Sequence, residues 1–330
     1  MREILSLGVD LGGTKTEVAL VKRFAAEPGE TPKSYDVLLR RRTPTGGEGG
    51  YEAVLATVTG LVRGVAAELG IHTRDLPVGV GMPGSVTRRE GFVKNSNTIC
   101  LNGRPFREDL SRALEREAAF DNDANCFALA EARLGAGKHV RDGVVFGVIL
   151  GTGVGGGIVF DGKPWSGLQG LGGEWGHHPV GPWRRQSGDL AREVRDVGAG
   201  LTERPACFCG KMGCLELYAS GPAVERDYLR RSGRAARLPE IAAARGDDAH
   251  AAAAIDEMLE AFGRGLATVI GILDPNLIVL GGGVSNLDFL YTEGVERVAA
   301  YVLNDELLTP IVRHELGDSA GVLGAALLGS

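Results

Sequence analysis

Apolar positions recur in short blocks along this chain, and their spacing changes from block to block. Residues 5–9 and 17–21 are compact apolar runs on either side of Asp10-Leu11-Gly12-Gly13-Thr14-Lys15-Thr16, which predicts two strands joined by a glycine loop. A turn-rich stretch, Pro28-Gly29-Glu30-Thr31-Pro32, leads to a third strand near residues 35–41. The period then lengthens. Val54, Leu55, Val58, Leu61, Val62, Val65 and Leu69 fall on one stripe of a helix over residues 51–69. Residues 77–81 read as a short strand that runs into Gly81-Met82-Pro83-Gly84-Ser85. Residues 118–120 read as another, followed by Asp121-Asn122-Asp123 and a helix over 124–134 that Gly135-Ala136-Gly137 ends.

The second half repeats the opening. A strand over residues 144–150 is followed by Gly151-Thr152-Gly153-Val154-Gly155-Gly156-Gly157 and a strand over 158–160. GVILGTGVGGGIVF, from Gly147, can be laid over GVDLGGTKTEVALV, from Gly8, with Gly8/Gly147, Val9/Val148, Leu11/Leu150 and Gly12/Gly151 identical. Two lobes with the same opening hairpin predict a duplicated α/β architecture. Further on, Ile255, Met258, Leu259, Phe262, Leu266, Val269, Ile270 and Leu273 mark a long amphipathic helix that Pro275 stops. Residues 277–280 form a buried strand, Gly281, Gly282 and Gly283 open the next helix, and residues 317–328 make a small-residue helix. Residues 181–204 are charged and poorly periodic, and read as a long surface loop.

Composition narrows the class. A chain of 330 residues, 44% hydrophobic and 24% charged, is globular and long enough for two lobes. A net charge of -6 gives no electrostatic footprint for nucleic acid or anionic membrane, so neither is expected as a partner. The apolar start ends at Asp10, too soon for an export signal, which predicts a cytoplasmic protein. Residues 143–160 are uncharged and mimic a membrane span, but their seven glycines fit two strands better. Of five cysteines, Cys207, Cys209 and Cys214 crowd into eight positions, which reads as metal binding rather than disulfide formation. Cys100 and Cys126 read as ordinary buried thiols.

Three groups of residues carry candidate chemistry. The loops Asp10–Thr16 and Gly151–Gly157 sit at matching places in the two halves, and glycines there let backbone N–H groups approach phosphate oxygens. Each alone is also compatible with a plain hairpin; neither has the spacing of a P-loop or a dinucleotide fingerprint. Facing glycine hairpins would pinch a polyphosphate, and Asp10 would hold Mg2+ through water. Phosphoryl transfer to an alcohol further needs a carboxylate near the attacking hydroxyl. Asp121-Asn122-Asp123-Ala124-Asn125 offers two, although Asp123 also sits where a helix cap belongs. Finally, Cys207, Cys209 and Cys214 need one more ligand for a closed tetrahedral zinc site, and His177 or His178 would supply it.

Together these segments resemble the ROK family, sugar kinases and related repressors of the actin-like ATPase (ribonuclease H-like) α/β fold, with two lobes and a cleft between them. The most specific part is Gly173-Glu174-Trp175-Gly176-His177-His178-Pro179 followed by CFCGKMGCLE from Cys207. The resemblance implies that Asp123 is the general base, that Asn122, Glu174, Glu216 and His177 contact the sugar, and that Asn97 lies in a sugar-facing loop with Pro83-Gly84-Ser85. It implies that His177 joins Cys207, Cys209 and Cys214 on a structural Zn2+. Asp10, Gly12, Gly13, Thr14 and Lys15, with Thr152, Gly153, Gly155, Gly281, Gly282 and Gly283, would bind ATP-Mg2+. It places the lobe boundaries at 1–121 plus 317–330 and 122–316, and implies a homodimer.

Within the family, VKNSNTICLNGRPF and GEWGHHPVGPW resemble bacterial fructokinases with mannose activity, which is the first expectation for the substrate. DNDANCFALAEA and GVILGTGVGGGIVF resemble N-acetylglucosamine kinases, the alternative. A sugar-responsive repressor of the family would carry a helix-turn-helix ahead of the first loop, for which the sequence leaves no room. A phosphotransferase of the acetate-kinase type would not need the Cys/His motif.

Overall fold

In the computed structural model, residues 3–24, 35–87, 89–180 and 205–329 are described. The turn-rich stretch at 28–32 and the surface loop expected over 181–204 lie outside the described residues. In chain order the strands are β1 (Glu3–Leu11), β2 (Lys15–Phe24), β3 (Tyr35–Pro44), β4 (Val78–Met82), β5 (Ser85–Val86), β6 (Val93–Lys94), β7 (Ala118–Asn122), β8 (Val144–Leu150), β9 (Val154–Phe160), β10 (Lys163–Pro164), β11 (Leu277–Gly281) and β12 (Ile311–Arg313). The helices are α1 (Gly50–Ala67), α2 (Phe106–Ala113), α3 (Asp123–Leu134), α4 (Glu216–Ala219), α5 (Gly221–Ser232), α6 (Leu238–Ala244), α7 (Ala249–Leu273), α8 (Glu293–Ala299) and α9 (Ala320–Leu328).

The duplication expected from the sequence is present as topology. One sheet has the order β3-β2-β1-β4-β7 and the other β10-β9-β8-β11-β12, so the same strand arrangement occurs twice. In the first sheet β1 and β2 form an antiparallel hairpin and β4 runs parallel to β1. This is the mixed α/β arrangement of the actin-like fold. The uncharged stretch 143–160 is two strands, as expected, and no helix among the described residues is long and apolar enough to cross a membrane.

Two compact units result. The first comprises Met1–Gly147, Gly157–Gly173 and His314–Ser330; the second comprises Val148–Gly156 and Glu174–Arg313. The sequence expectation divided the chain after 121 and after 316. The difference arises because α3 packs on α9 and stays with the first unit.

In the first unit, alternation along β1 decides which side each residue serves. Leu7, Val9 and Leu11 join a core with Val54, Val58, Val62 and Val65 of α1 and with Phe106 and Leu110 of α2. Gly8 and Asp10 therefore face the other way. There α9 approaches closely: a Cβ on Gly8 would lie 2.0 Å from the Val322 carbonyl oxygen, and one on Gly79 of β4 would lie 1.9 Å from that of Ala325. From α9 itself, a Cβ on Gly324 would lie 1.8 Å from the Cys126 carbonyl oxygen of α3. Glu131, fully buried on α3, accepts backbone N–H groups from Ala136 (3.0 Å), Glu315 (3.1 Å) and Leu316 (2.9 Å), which ties the approach to α9 onto α3.

In the second unit, α7 is the spine. Ile255, Met258, Leu259, Phe262 and Leu266 are buried, and the helix packs against α4, α5, α6 and α8. It ends at Asp274, in a left-handed conformation just before Pro275.

Gly324→Ala is expected to lower stability by about 3 kcal/mol or more, because the blocking atom is backbone and cannot swing aside. Urea denaturation measures this, and an unchanged midpoint contradicts the close approach.

Candidate active site

Asp10 ends the outward-facing row of β1 and pairs across the sheet with Glu17, which in turn pairs with Arg42. Glu17 is buried and holds the Nε atoms of Arg40 at 2.5 Å and Arg42 at 2.6 Å, so its charge is matched. Among the described residues Asp10 has no such partner. Its carboxylate lies against the first turn of α9, where a Cβ on Gly321 would come within 2.6 Å of Oδ2. Burial, then the charges of Asp123 and Glu17, raise its pKa to about 6, against the smaller lowering by Arg42 and Arg40.

The loop after Asp10 is a tight turn. Gly12 N–H donates to the Lys15 carbonyl at 3.0 Å. Thr45 braces it from outside: its N–H donates to the Thr14 carbonyl (2.9 Å) and its hydroxyl to that of Gly12 (2.7 Å). Gly13, Thr14 and Lys15 are exposed, and a Cβ on Gly13 would meet Asn97 Oδ1 at 3.2 Å. The structure thus brings Asn97 to the glycine turn. Thr45 had no local signal, since its partners lie about thirty residues away in the chain.

The helix cap is Asn122, not Asp123 as the sequence suggested. Asn122 has extended backbone angles, and its Oδ1 accepts the Ala124 N–H at 2.8 Å. Its Nδ2 donates to the Gly84 carbonyl at 3.1 Å, which leaves one amide N–H for a ligand. Asp123 is the first residue of α3, half-buried, and burial raises its carboxyl above the usual range although the Ala124 N–H pulls the other way. Asp121 is pushed up by burial and pulled down by hydrogen bonds from Asn125, Asn122 and Ser166.

In the second unit, Glu174 precedes a single turn, Trp175–His177. The Trp175 indole N–H donates to the Gly155 carbonyl at 2.8 Å, which anchors this turn to β9. The chain then pairs with the cysteine loop: Val180 N–H donates to Gly213 and Leu215 N–H to His178, both at 2.9 Å. One donor atom each from His177, Cys207, Cys209 and Cys214 lies within 4.8 Å of all the others. Cys209 Sγ is 3.6 Å from Cys214 Sγ, and Cys207 Sγ is 3.6 Å from His177 Nδ1. A zinc–sulfur bond of about 2.3 Å gives tetrahedral edges of roughly 3.8 Å, so the donor set fits that ion. Of the two histidines, His177 is the one in this cluster among the described residues. Cys100 and Cys126 lie outside the cluster. Burial and the neighbouring sulfurs push the Cys214 thiol up to about 12, so a thiolate there needs a cation beside it.

Glu216 opens α4 and turns onto the second glycine loop. Its Oε2 accepts the Val154 N–H at 2.9 Å, and a Cβ on Gly153 would come within 2.5 Å of that oxygen. Gly151 closes a turn on Gly153, Thr152 is exposed, and Gly155 lies within β9. Gly282 has φ of 82°, and a Cβ there would meet the Leu150 carbonyl oxygen at 2.3 Å, so the run after β11 joins the same loop. The helix expected after Gly281, Gly282 and Gly283 is only a short turn, Gly283–Asn286, closed by Ser285 Oγ donating to the Gly282 carbonyl at 2.7 Å.

The chain is similar to known proteins along nearly its whole length. The family model described as "ROK family" matches residues 6–330. The N-acetyl-D-glucosamine kinase of Pectobacterium atrosepticum is 35% identical over 324 residues, 97% of each chain. That of Photobacterium profundum is 34% identical over 329 residues, 97% of this chain and 98% of its own. Among solved structures, the ROK hexokinase of Thermus thermophilus superposes with a TM-score of 0.79 at 32% identity, covering 99% of this chain and 98% of its own. A ROK glucokinase from Streptomyces griseus, solved with glucose and AMPPNP, gives 0.70 at 25% identity, covering 98% and 99%. With the family model spanning nearly every residue, this chain belongs to the ROK family.

Proposed function

We propose that the sugar this chain phosphorylates is N-acetylglucosamine. The chain is an ATP-dependent sugar kinase. The observation that supports a phosphoryl-transfer reading is a pair of half-buried carboxylates, Asp10 at the entry to the glycine turn and Asp123 at the head of α3, both raised above the usual range by burial and set in different surroundings. Asp123, at the head of α3, accepts the proton of the attacking hydroxyl; a carboxyl raised towards neutrality is a stronger base than a solvated one. Asp10 would hold Mg2+, which would supply charge neutralisation on the polyphosphate. Gly12, Gly13, Thr14 and Lys15 offer donors to ATP, as do Thr152, Gly153, Gly155, Gly281, Gly282 and Gly283. Asn97, the remaining N–H of Asn122, Glu174, His177 and Glu216 orient the sugar.

His177, Cys207, Cys209 and Cys214 would hold zinc, which would supply a cross-link between the Glu174 turn and the loop leading to Glu216. The Nε2 of His177 is then left for the sugar, because Nδ1 faces the sulfurs. N-acetylglucosamine is preferred to the fructose or mannose expected first, because relatives matched over 97% of the chain at 34–35% identity carry that activity in their names. A cytoplasmic homodimer remains part of the proposal.

ADP release from ATP-Mg2+ is to be measured with N-acetylglucosamine, N-acetylmannosamine, glucose, mannose and fructose. The highest kcat/KM is expected with N-acetylglucosamine; a preference for fructose or mannose overturns the substrate assignment. Metal analysis of protein purified without chelator is expected to give about one zinc per chain, and chelation is expected to lower Tm. Protein that is folded, active and free of zinc contradicts the structural site.

A further inference from the structure

Of the three carboxylates around the head of α3, Asp121 has no part in the chemistry above, yet it is the most heavily bonded. Its Oδ1 accepts the Asn122 N–H at 2.8 Å, the Asn125 side-chain amide at 2.7 Å and the Ser166 hydroxyl at 3.1 Å, with Ser166 3.3 Å from Oδ2. The same Asn125 amide also reaches Ser166 Oγ at 3.3 Å. Asn125 is only 3% exposed, and its own carbonyl oxygen is buried without a hydrogen-bond partner among the described residues. The amide is therefore turned for the sake of its donor, at the expense of its acceptor. The carboxylate sets that orientation, and Ser166 receives the benefit.

Ser166 starts a closed loop. Its carbonyl accepts the Gly172 N–H at 2.9 Å, and Gly167 and Gly170 turn with φ of 72° and 67°. The loop touches the other segments that line the sugar side of this unit. Lys94 Nζ donates to the Gln169 carbonyl at 3.2 Å, and a Cβ on Gly170 would meet Ser85 at 3.8 Å. Neighbouring Gly84 is bonded in turn by Asn122. A ring of loops thus closes on the residues that flank Asp123, and Ser166 is where the 166–172 loop is fastened to it. A serine hydroxyl has one proton to donate. Here it points to Asp121 while a lone pair faces Asn125, so no donor is left for a ligand.

We infer that Ser166, clamped by Asp121 and Asn125, is a positioning residue that fixes the 166–172 loop at a set distance from Asp123 and thereby shapes the sugar subsite. The inference rests on the kinase reading above.

The test is steady-state kinetics of Ser166→Ala, Ser166→Thr and Asp121→Asn with N-acetylglucosamine, alongside Tm. Ser166→Ala is expected to raise the KM for sugar about tenfold, with the KM for ATP and the Tm little changed. Ser166→Thr, which keeps the hydroxyl, is expected to restore most of the loss. Asp121→Asn, which keeps the shape but loses the charge, is expected to raise the same KM. A Ser166→Ala enzyme with lowered Tm and unchanged sugar KM overturns the inference and leaves the kinase reading intact. A wild-type enzyme that turns over no hexose overturns the kinase reading, and the inference falls with it.

Discussion

Backbone-to-backbone contact at α9 is the constraint on which the first unit depends. Three glycines, on β1, β4 and α9, stand where any side chain would collide with a carbonyl oxygen. They let the helix lie directly on the sheet and on α3. The register of that contact fixes two things at once. It sets the first turn of α9 beside Asp10, and it sets α3 so that its head presents Asp123 to the same neighbourhood. Glu131 reinforces the arrangement from the far end of α3 with hydrogen bonds from three backbone N–H groups. A buried carboxylate satisfied in this way is a clamp rather than a cost.

The charges nearby are arranged with different outcomes. Glu17 is buried and neutralised by two arginines from the adjacent strand. Asp10, one strand over on the same face, has no ion-pair partner among the described residues and is raised by burial and by Asp123 more than Arg42 and Arg40 lower it. A fold selected for stability alone would not leave it there. The unpaired carboxylate makes sense once a divalent ion and a polyphosphate enter the account, since both bring charges that the free protein lacks. In the second unit the same logic appears in another form: three sulfurs and an imidazole lie within 4.8 Å of one another, and an ion held there would brace the loop that leads to Glu216 and the glycine loop it contacts.

Much of this was legible in the sequence where the signal is local. The glycine loops, the duplicated hairpin, α1, α3, α7 and the Cys/His cluster all declare themselves by period or spacing. The identical strand orders of the two sheets bear out the duplication read from GVDLGG and GVILGT. Short elements did not declare themselves: α2 buries only Phe106 and Leu110, and β12 has three residues. Long-range partners were equally silent. Thr45, Ser166 and Glu131 are ordinary polar residues until the fold brings their partners to them. The displacement of the cap from Asp123 to Asn122 is a one-residue shift that composition does not resolve; Asp123 shares the Ala124 N–H with it, at 2.9 Å against 2.8 Å.

On the function proposed above, Asp10 is kept buried and unmatched for phosphoryl transfer, against the interest of the free protein's stability. With a folded pKa of about 6 against 3.8, Asp10 binds its proton more tightly when folded, so stability falls as pH rises through that window and the loss is complete above it. Urea denaturation of Asp10→Asn and wild type, without magnesium or nucleotide, tests this directly. The account predicts that the variant is more stable than wild type by up to about 3 kcal/mol at pH 8, that the gain shrinks towards pH 4, and that kinase activity is lost. A variant that is no more stable at pH 8, or that keeps its activity, contradicts it.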